Sequence, residues 1–360
     1  MGIMRPSSRK DFEIAILCAL PLEYDAVSLA FDEFWDKDGD QYGKADGDQN
    51  TYLTGRIGKF NVAMALLPRM GKVNATSAAA SMRFSYNNIQ LALLVGICGA
   101  VPLAGNDEIL LGDVIVANSV VEYDFGRKYP DKFVRRTEQD LTKPSKDIST
   151  LLASFKTSHF SKLLHERTAH FLKGLQSRVE PGRGNDYIYP GWKEDILFES
   201  SYRHKHRGTP TCICKDCHGR FDPVCDEALK ASCHDLQCDK RYEVPRERLE
   251  LKKQSDEDEK QDSKIFVGSI ASGDTVLKSG EDRDRIAKQE GVIAFEMEGA
   301  GIWEEAPTII IKGVCDYADC HKSKKWQNFA AITAASAAKA ILERCIRRDK
   351  VTGQVVDDGE

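Results

Sequence analysis

Apolar and polar positions along this chain fall into blocks that read alternately as strand and helix. Residues 12–20, FEIAILCAL, are a short apolar run rich in branched side chains and closed by Pro21. That pattern predicts a buried strand leading into a helix over residues 23–34. The charged, glycine-rich stretch DKDGDQYGKADGDQN reads as turn. YLTGRIGKFNVAMALLPRM predicts a hairpin, two strands flanking residues 56–59. VNATSAAASMRFSY (73–86) has helical spacing. LALLVGICGAVP (91–102) is a continuous apolar run ending in glycines, as expected of a central strand that delivers a site at its end. GDVIVANSVVEYDF supplies one or two further strands.

From about residue 126 to 264 the chain becomes charged and irregular. This stretch holds a Cys/His cluster and the run KKQSDEDEKQDSK, which is expected to be solvated and mobile. Order returns at IFVGSIASGD. VIAFEME and TIIIKGVCDYAD read as strands, and WQNFAAITAASAAKAILERCIRR as a C-terminal amphipathic helix. No internal repeat is visible. The order of elements predicts an α/β fold in which a mixed central β-sheet is flanked by helices. One domain would span 12–346, with a tail before it (1–11), a Cys-rich insert within it (about 128–264) and a tail or linker after it (347–360).

A length of 360 residues with 41% hydrophobic content suffices for one large α/β domain or two smaller ones. The net charge of −5 gives no reason to expect nucleic-acid or membrane binding. No apolar window is long enough for a transmembrane helix, and no apolar segment precedes the first strand to act as a secretory signal. The cysteines number 11, an odd total. With no export signal, this points to a reducing, cytoplasmic setting and not to a disulfide scaffold.

Polar residues stand at the ends of several apolar runs. Glu23 follows ALPL, Gly96, Cys98 and Gly99 close LLVGICGA, and Asp274 follows IASG. Glu296 and Glu298 flank Met297 in FEMEGAG, and Asp316 follows IIIKGVC. Strand ends in α/β proteins are where ligands bind. Each residue also has a plainer reading. Glu23 suits a first helical turn, Asp316 an N-cap, the paired glutamates a strand edge, and the glycines a turn.

Taken together, ILCALPLEYDAV, RMGKV, LLVGICGAVP, GDVIV, EYDFGR, IASGD, AFEMEGAG and KGVCDYADCHK resemble the nucleoside phosphorylase/nucleosidase superfamily. The likeness is to its methylthioadenosine/adenosylhomocysteine nucleosidase branch, and more closely to the phosphorylase-like domain at the front of large fungal signalling chains. The resemblance implies cleavage of the N-glycosidic bond of a purine nucleoside or nucleotide. In that reading Asp316 is the general acid toward purine N7, and Glu23 positions and activates the attacking water. Glu298, with the backbone of Met297, holds the ribose hydroxyls. Cys98 and Gly99, with Ile97, lie beneath the sugar, and Val276 and Leu277 line the base pocket. The family chemistry uses no metal, and a homo-oligomer, dimer or trimer, is expected. Departure of the base builds positive charge on the sugar and negative charge on the base, so carboxylates near one and an acid near the other suit the reaction. Desolvation would help Asp316 keep its proton.

The family's phosphorylases carry an Arg just before the glycine of the central strand and a Ser or Thr just after it, and both bind phosphate. Here Leu94, Val95 and Ile97 fill those places. Water is therefore the expected nucleophile, with phosphorolysis as the alternative. Ile97 and Cys315 each replace a serine of the nucleosidases. A third possibility, from another class, is a non-catalytic nucleotide-sensing module. Lys72, Arg127 and Arg69 are candidates to meet a 5′-phosphate, their plainer reading being solvated charge. In the insert, Cys214-x2-Cys217 and Cys233-x4-Cys238 are spaced like one structural zinc site. Cys212, Cys225, His218 and His234 are then spare, and a loop of free thiols is the alternative.

Overall fold

The computed structural model describes residues 5–136, 144–179, 187–256 and 260–346. The expected tail at 347–360 and the middle of the charged run, 257–259, lie outside the described residues. In β1 (Ile14–Cys18) every side chain is buried. Pro21 then opens α1 (Pro21–Ser28) at a position where its missing N–H costs nothing. This helix is shorter than expected, because the chain turns at residues 29–31 into β2 (Glu33–Phe34), which pairs with β3 (Tyr52–Ile57). β3 and β4 (Phe60–Leu66) form the expected hairpin, turned at Gly58 with φ +57°. There follow α2 (Lys72–Ser85), β5 (Leu91–Ala100), the small hairpin of β6 (Leu103–Ala104) and β7 (Asp107–Glu108), and β8 (Val114–Glu122). A second small hairpin, β9 (Gly126–Lys128) and β10 (Phe133–Arg135), stands apart from the main sheet.

The next stretch is more regular than its sequence suggests. It begins with α3 (Lys146–Ser154) and α4 (Ser158–Gln176). α4 buries Leu164, Thr168, Leu172 and Leu175, a helical stripe diluted in the sequence by His, Lys and Arg on the other faces. Among the described residues that follow, the chain has short 3-10 turns and one isolated bridge, Phe198 to Glu243, before α5 (Glu247–Gln254). The C-terminal part runs β11 (Ile265–Ser272), α6 (Gly280–Glu290), β12 (Val292–Glu296), α7 (Gly299–Trp303), β13 (Thr308–Asp316) and α8 (Gln327–Arg344).

Among the described residues nine strands form one sheet in the order β12-β11-β8-β13-β5-β1-β4-β3-β2. β1 lies parallel to both β4 and β5, and β13 lies parallel to β5. β12 also pairs antiparallel with β5, at Ala294–Ala100 and Phe295–Gly99. That pairing closes β12, β11, β8, β13 and β5 into a barrel and brings the C-terminal ends of β5, β12 and β13 together. α8 is not amphipathic as expected. Every residue from Phe329 to Leu342 is buried, because α1 and α4 pack on it and the sheet lies beneath. Its alanines let the helix backbone rest on β13, where a Cβ at Gly313 would fall 1.9 Å from the carbonyl oxygen of Ala330. Among the described residues no helix is long and apolar enough to cross a membrane.

Candidate functional site

The two glycines of β5 are close-approach positions and not turn residues. A Cβ at Gly96 would lie 2.3 Å from Oε1 of Glu23, and one at Gly99 would lie 2.7 Å from Oδ1 of Asp316. Each glycine therefore lets one carboxylate press against the strand. Glu23 reaches there from the first turn of α1. Its Oε2 accepts the amides of Ala19 (2.8 Å) and Leu20 (2.9 Å), and its Oε1 accepts the amide of Ile97 (2.8 Å). One side chain thus both caps α1 and reaches β5. Burial lifts the Glu23 carboxyl above the ordinary glutamate range. Lys312 opposes that lift, Glu298 adds to it, and the backbone donors oppose it.

Lys312, within the apolar run IIIKG, occupies the centre of this group. It is 1% exposed, with Nζ 3.1 Å from Glu298 Oε2 and 3.5 Å from Glu296 Oε2. Burial works against its charge, and the carboxylates of Glu298, Glu296 and Glu23 outweigh burial, so the ammonium is held well above the ordinary lysine range. A lysine inside an otherwise apolar strand was the available signal, since buried lysines are almost always paired. Glu298 also accepts the Gly71 amide through Oε1 (3.3 Å). Glu296 instead faces the start of α7 and accepts the amides of Glu298 and Gly299. The two glutamates therefore differ in role: Glu296 fixes the turn, and Glu298 extends toward α2 and Lys312.

Replacing Lys312 by Met leaves these carboxylates without their cation. We expect a loss of about 3–5 kcal/mol at neutral pH, the usual cost of breaking a buried charge set. Glu23 and Glu296 already have raised carboxyls. Their contribution to stability is present below the unfolded glutamate range and lost as pH rises through the folded value. Without Lys312 the folded values rise further, so the variant's deficit should shrink as pH falls toward the unfolded range. Urea unfolding of both proteins at pH 8 and pH 5.5 measures this. An equal deficit at both pH values contradicts the charge balance described.

Asp316 ends β13, and its Oδ1 accepts the Ala318 amide at 2.8 Å. Oδ2 lies 3.2 Å from the Lys322 ammonium and 3.4 Å from the Cys315 thiol. The carboxyl is thus buried and ringed by donors. Ala318 sits at φ +51°, an uncommon backbone for a residue with a Cβ, so the loop is held in place by its surroundings. Arg283 donates to the carbonyl of Tyr317 (2.9 Å). The Tyr317 hydroxyl donates to Asp195 (2.7 Å), which Arg246 also binds.

Cys98 is buried beside this group, while Met297 is half-buried. Leu277 packs in an apolar cluster with Phe295, Ala318 and Val101, whereas Val276 is 49% exposed. Asp274 accepts the Lys72 amide (2.9 Å). The Lys72 ammonium is held by Glu122 and Asp124 at 2.5 and 2.7 Å, so a phosphate there would compete with two carboxylates. Arg69 and Arg127 are exposed, and among the described residues neither is in an ion pair.

The cysteines expected to form one metal site do not meet. All 11 are free thiols. Cys214 lies with His206, Cys212 and Cys225, whereas Cys233 and Cys238 lie with His204 and His321. Cys217 joins neither group, because the loop closed by Asp222 on the amides of His218 and Gly219 takes its thiol (Sγ to Asp222 O, 3.9 Å). His218 and His234 belong to neither group. The histidines in these groups come from the sequence HKH and from the stretch after DYADC; His206 is near its cysteines in the chain, whereas His204 and His321 lie far from theirs.

Residues 13–175 match the model of the phosphorylase superfamily. The chain is 31% identical over 348 residues, 95% of its length, to a nucleotide-binding leucine-rich repeat (NLR)-like protein of Hyaloscypha variabilis. It spans only 30% of that relative. An 84-residue stretch, 22% of this chain and 33% of the relative, is 29% identical to the 5′-methylthioadenosine/S-adenosylhomocysteine nucleosidase of Mycobacterium bovis. In fold, the chain is similar to the nucleosidase of that name from S. pneumoniae, with a TM-score of 0.51 at 16% identity, covering 92% of this chain and 99% of that one. Over residues 13–175 the chain is thus similar to the phosphorylase superfamily.

Proposed function

We propose that this chain is a purine nucleosidase, hydrolysing the N-glycosidic bond of a purine nucleoside or nucleotide to free base and ribose or ribose phosphate. One observation carries the reading: Glu23 and Asp316, from different elements, close on Gly96 and Gly99 of the same strand, with Glu298 and Lys312 beside them. Glu23 has the raised carboxyl of a base that can accept a proton from water. Asp316 donates to the leaving purine, and Glu298 holds the ribose hydroxyls while the sugar gains positive charge. Met297, Cys98 and Gly99 contact the sugar, and Val276 and Leu277 the base. Lys312 binds no substrate in this scheme. It keeps the carboxylates together and oriented. No metal takes part in the bond cleavage, and the substrate is a small molecule. Nucleosidase activity among the relatives supports the reaction class, since that activity is in their names.

Leu94, Val95 and Ile97 offer no side-chain donor to phosphate, and Ile97 gives its amide to Glu23. Base release should therefore proceed at the same rate with and without inorganic phosphate. Incubating the protein with inosine, adenosine, AMP and ATP, and identifying both products, tests this. Ribose 1-phosphate that forms only when phosphate is present would overturn hydrolysis in favour of phosphorolysis. A sensing module is the second reading, favoured by the NLR-like relative of which this chain spans only part. It requires nucleotide binding with no base release in the same assay.

A further inference from the structure

We propose that the cysteine-rich segment holds two structural zinc ions, and that the second staples this segment to the loop carrying Asp316. In the first site His206, Cys212, Cys214 and Cys225 each direct one ligand atom inward, all within 4.8 Å of one another. His204, Cys233, Cys238 and His321 do the same in the second. Tetrahedral zinc with Zn–S of about 2.3 Å and Zn–N of about 2.05 Å sets sulfur and nitrogen about 3.6 Å apart. Cys212 and Cys225 lie 3.6 and 3.2 Å from His206 Nδ1, and Cys233 and Cys238 lie 3.5 and 3.8 Å from His321 Nδ1. The thiols thus surround each ring nitrogen at the edge length of a metal tetrahedron.

The surrounding contacts fit metal ligands. Nε2 of His321 lies 2.9 Å from the carbonyl oxygen of Tyr202, so the ring donates there and leaves Nδ1 as the free lone pair. Zinc-bound histidines commonly carry such a contact on the other nitrogen. Backbone amides point at the sulfurs, Cys225 N to Cys214 Sγ at 3.5 Å and Ala228 N to Cys225 Sγ at 3.4 Å, and Arg207 reaches Cys238 Sγ at 3.6 Å. These donors favour thiolates. The segment's own apolar cluster has only Cys214, Ala228 and Leu236 fully buried, and its regular structure is limited to 3-10 turns. So small a core needs a metal or a disulfide to hold it, and the thiols are free. Four-ligand Cys/His sets leave no open position, so both ions are structural.

The sites differ in reach. Every ligand of the first lies between residues 206 and 225. The second takes three ligands from the segment and its fourth, His321, from the loop that follows β13, five residues after Asp316. His204 and His206, two residues apart, send one imidazole to each site, so the two ions brace a single stretch of chain. Removing the second ion frees one end of the Asp316 loop while Arg283, Asp195 and Arg246 still hold the other.

The test uses the full chain purified without added metal. Elemental analysis should find two zinc ions per chain, and one in Cys212→Ser/Cys225→Ser or in His321→Ala. His321→Cys, which can still ligate, should restore two. Stripping the wild-type protein with a strong chelator should speed amide exchange across residues 317–321 about tenfold or more, with β5 little changed. Folded, active protein with no metal, or with one ion in the wild type, overturns the two sites. Exchange at 317–321 that is unchanged after zinc leaves overturns the staple. A further arm rests on the nucleosidase reading: His321→Ala should lower kcat about tenfold to a hundredfold through misplacement of Asp316, and His321→Cys should recover it. Metal count and exchange need no substrate, so they stand if that reading fails.

Discussion

Asp316→Asn should lower kcat for purine release by about 10²–10⁴, the range for loss of a general acid, with little change in purine binding or in the fold. Asparagine keeps the shape, and its carbonyl can still accept the Ala318 amide, so the bond at 2.8 Å survives. It has no acidic proton to give. The purine leaves far more easily once N7 is protonated, so the lost interaction belongs to the transition state and not to ground-state binding. The Lys322 ammonium, now 3.2 Å from Oδ2, would face an amide instead. Single-turnover base release beside a binding titration separates the terms. Turnover near the wild-type rate would mean that Asp316 only organises its loop and that the proton donor lies elsewhere.

Glu23→Gln should reduce kcat to a similar degree, about 10²–10⁴, because it removes the base that activates water. Here the fold adds to the effect. Three backbone amides converge on the two oxygens of Glu23, and only a carboxylate can accept on both sides. A glutamine has one acceptor oxygen. Its NH2 must face either Ile97 or the Ala19–Leu20 pair, so at least one buried donor is lost. The wild-type pH profile carries a related signature. Burial raises the Glu23 carboxyl, and a base must be ionised to act. The acid limb of kcat/KM should therefore fall above the ordinary glutamate range. A limb at the ordinary position, or a Gln variant that still turns over, would remove Glu23 from the role of base.

Much of this site could be read from the chain because it is built at strand ends, and strand ends follow from apolar runs. ILCALPLE and LLVGICGA place Glu23, Gly96 and Gly99, and the structure adds why the glycines are there: each admits a carboxylate against the strand. What the sequence hid depends on contacts between distant segments. Lys312 is inside an apolar strand, and its three carboxylate neighbours come from α1, the last residue of β12 and the turn after it. The stripe of α4 is hard to see in the sequence because its four buried positions are diluted by polar and charged ones, and its packing on α8 is what sets them apart. The grouping of metal ligands is hidden in two ways. Cys-x2-Cys spacing suggests a local pair, but a tight local loop takes Cys217 to Asp222, and His321 is drawn in from a distant element.

The most direct test of the account is purine release under single-turnover conditions in phosphate-free buffer, by the wild-type chain, Asp316→Asn and Glu23→Gln, each with inosine, adenosine, AMP and ATP. The account predicts free base and unphosphorylated C1 sugar from the wild type with at least one of the four, and release slowed about 10²-fold or more in both variants that still bind the same compound. Tight binding by the wild type with no base released from any of them, or release that the two substitutions leave unchanged, would contradict it.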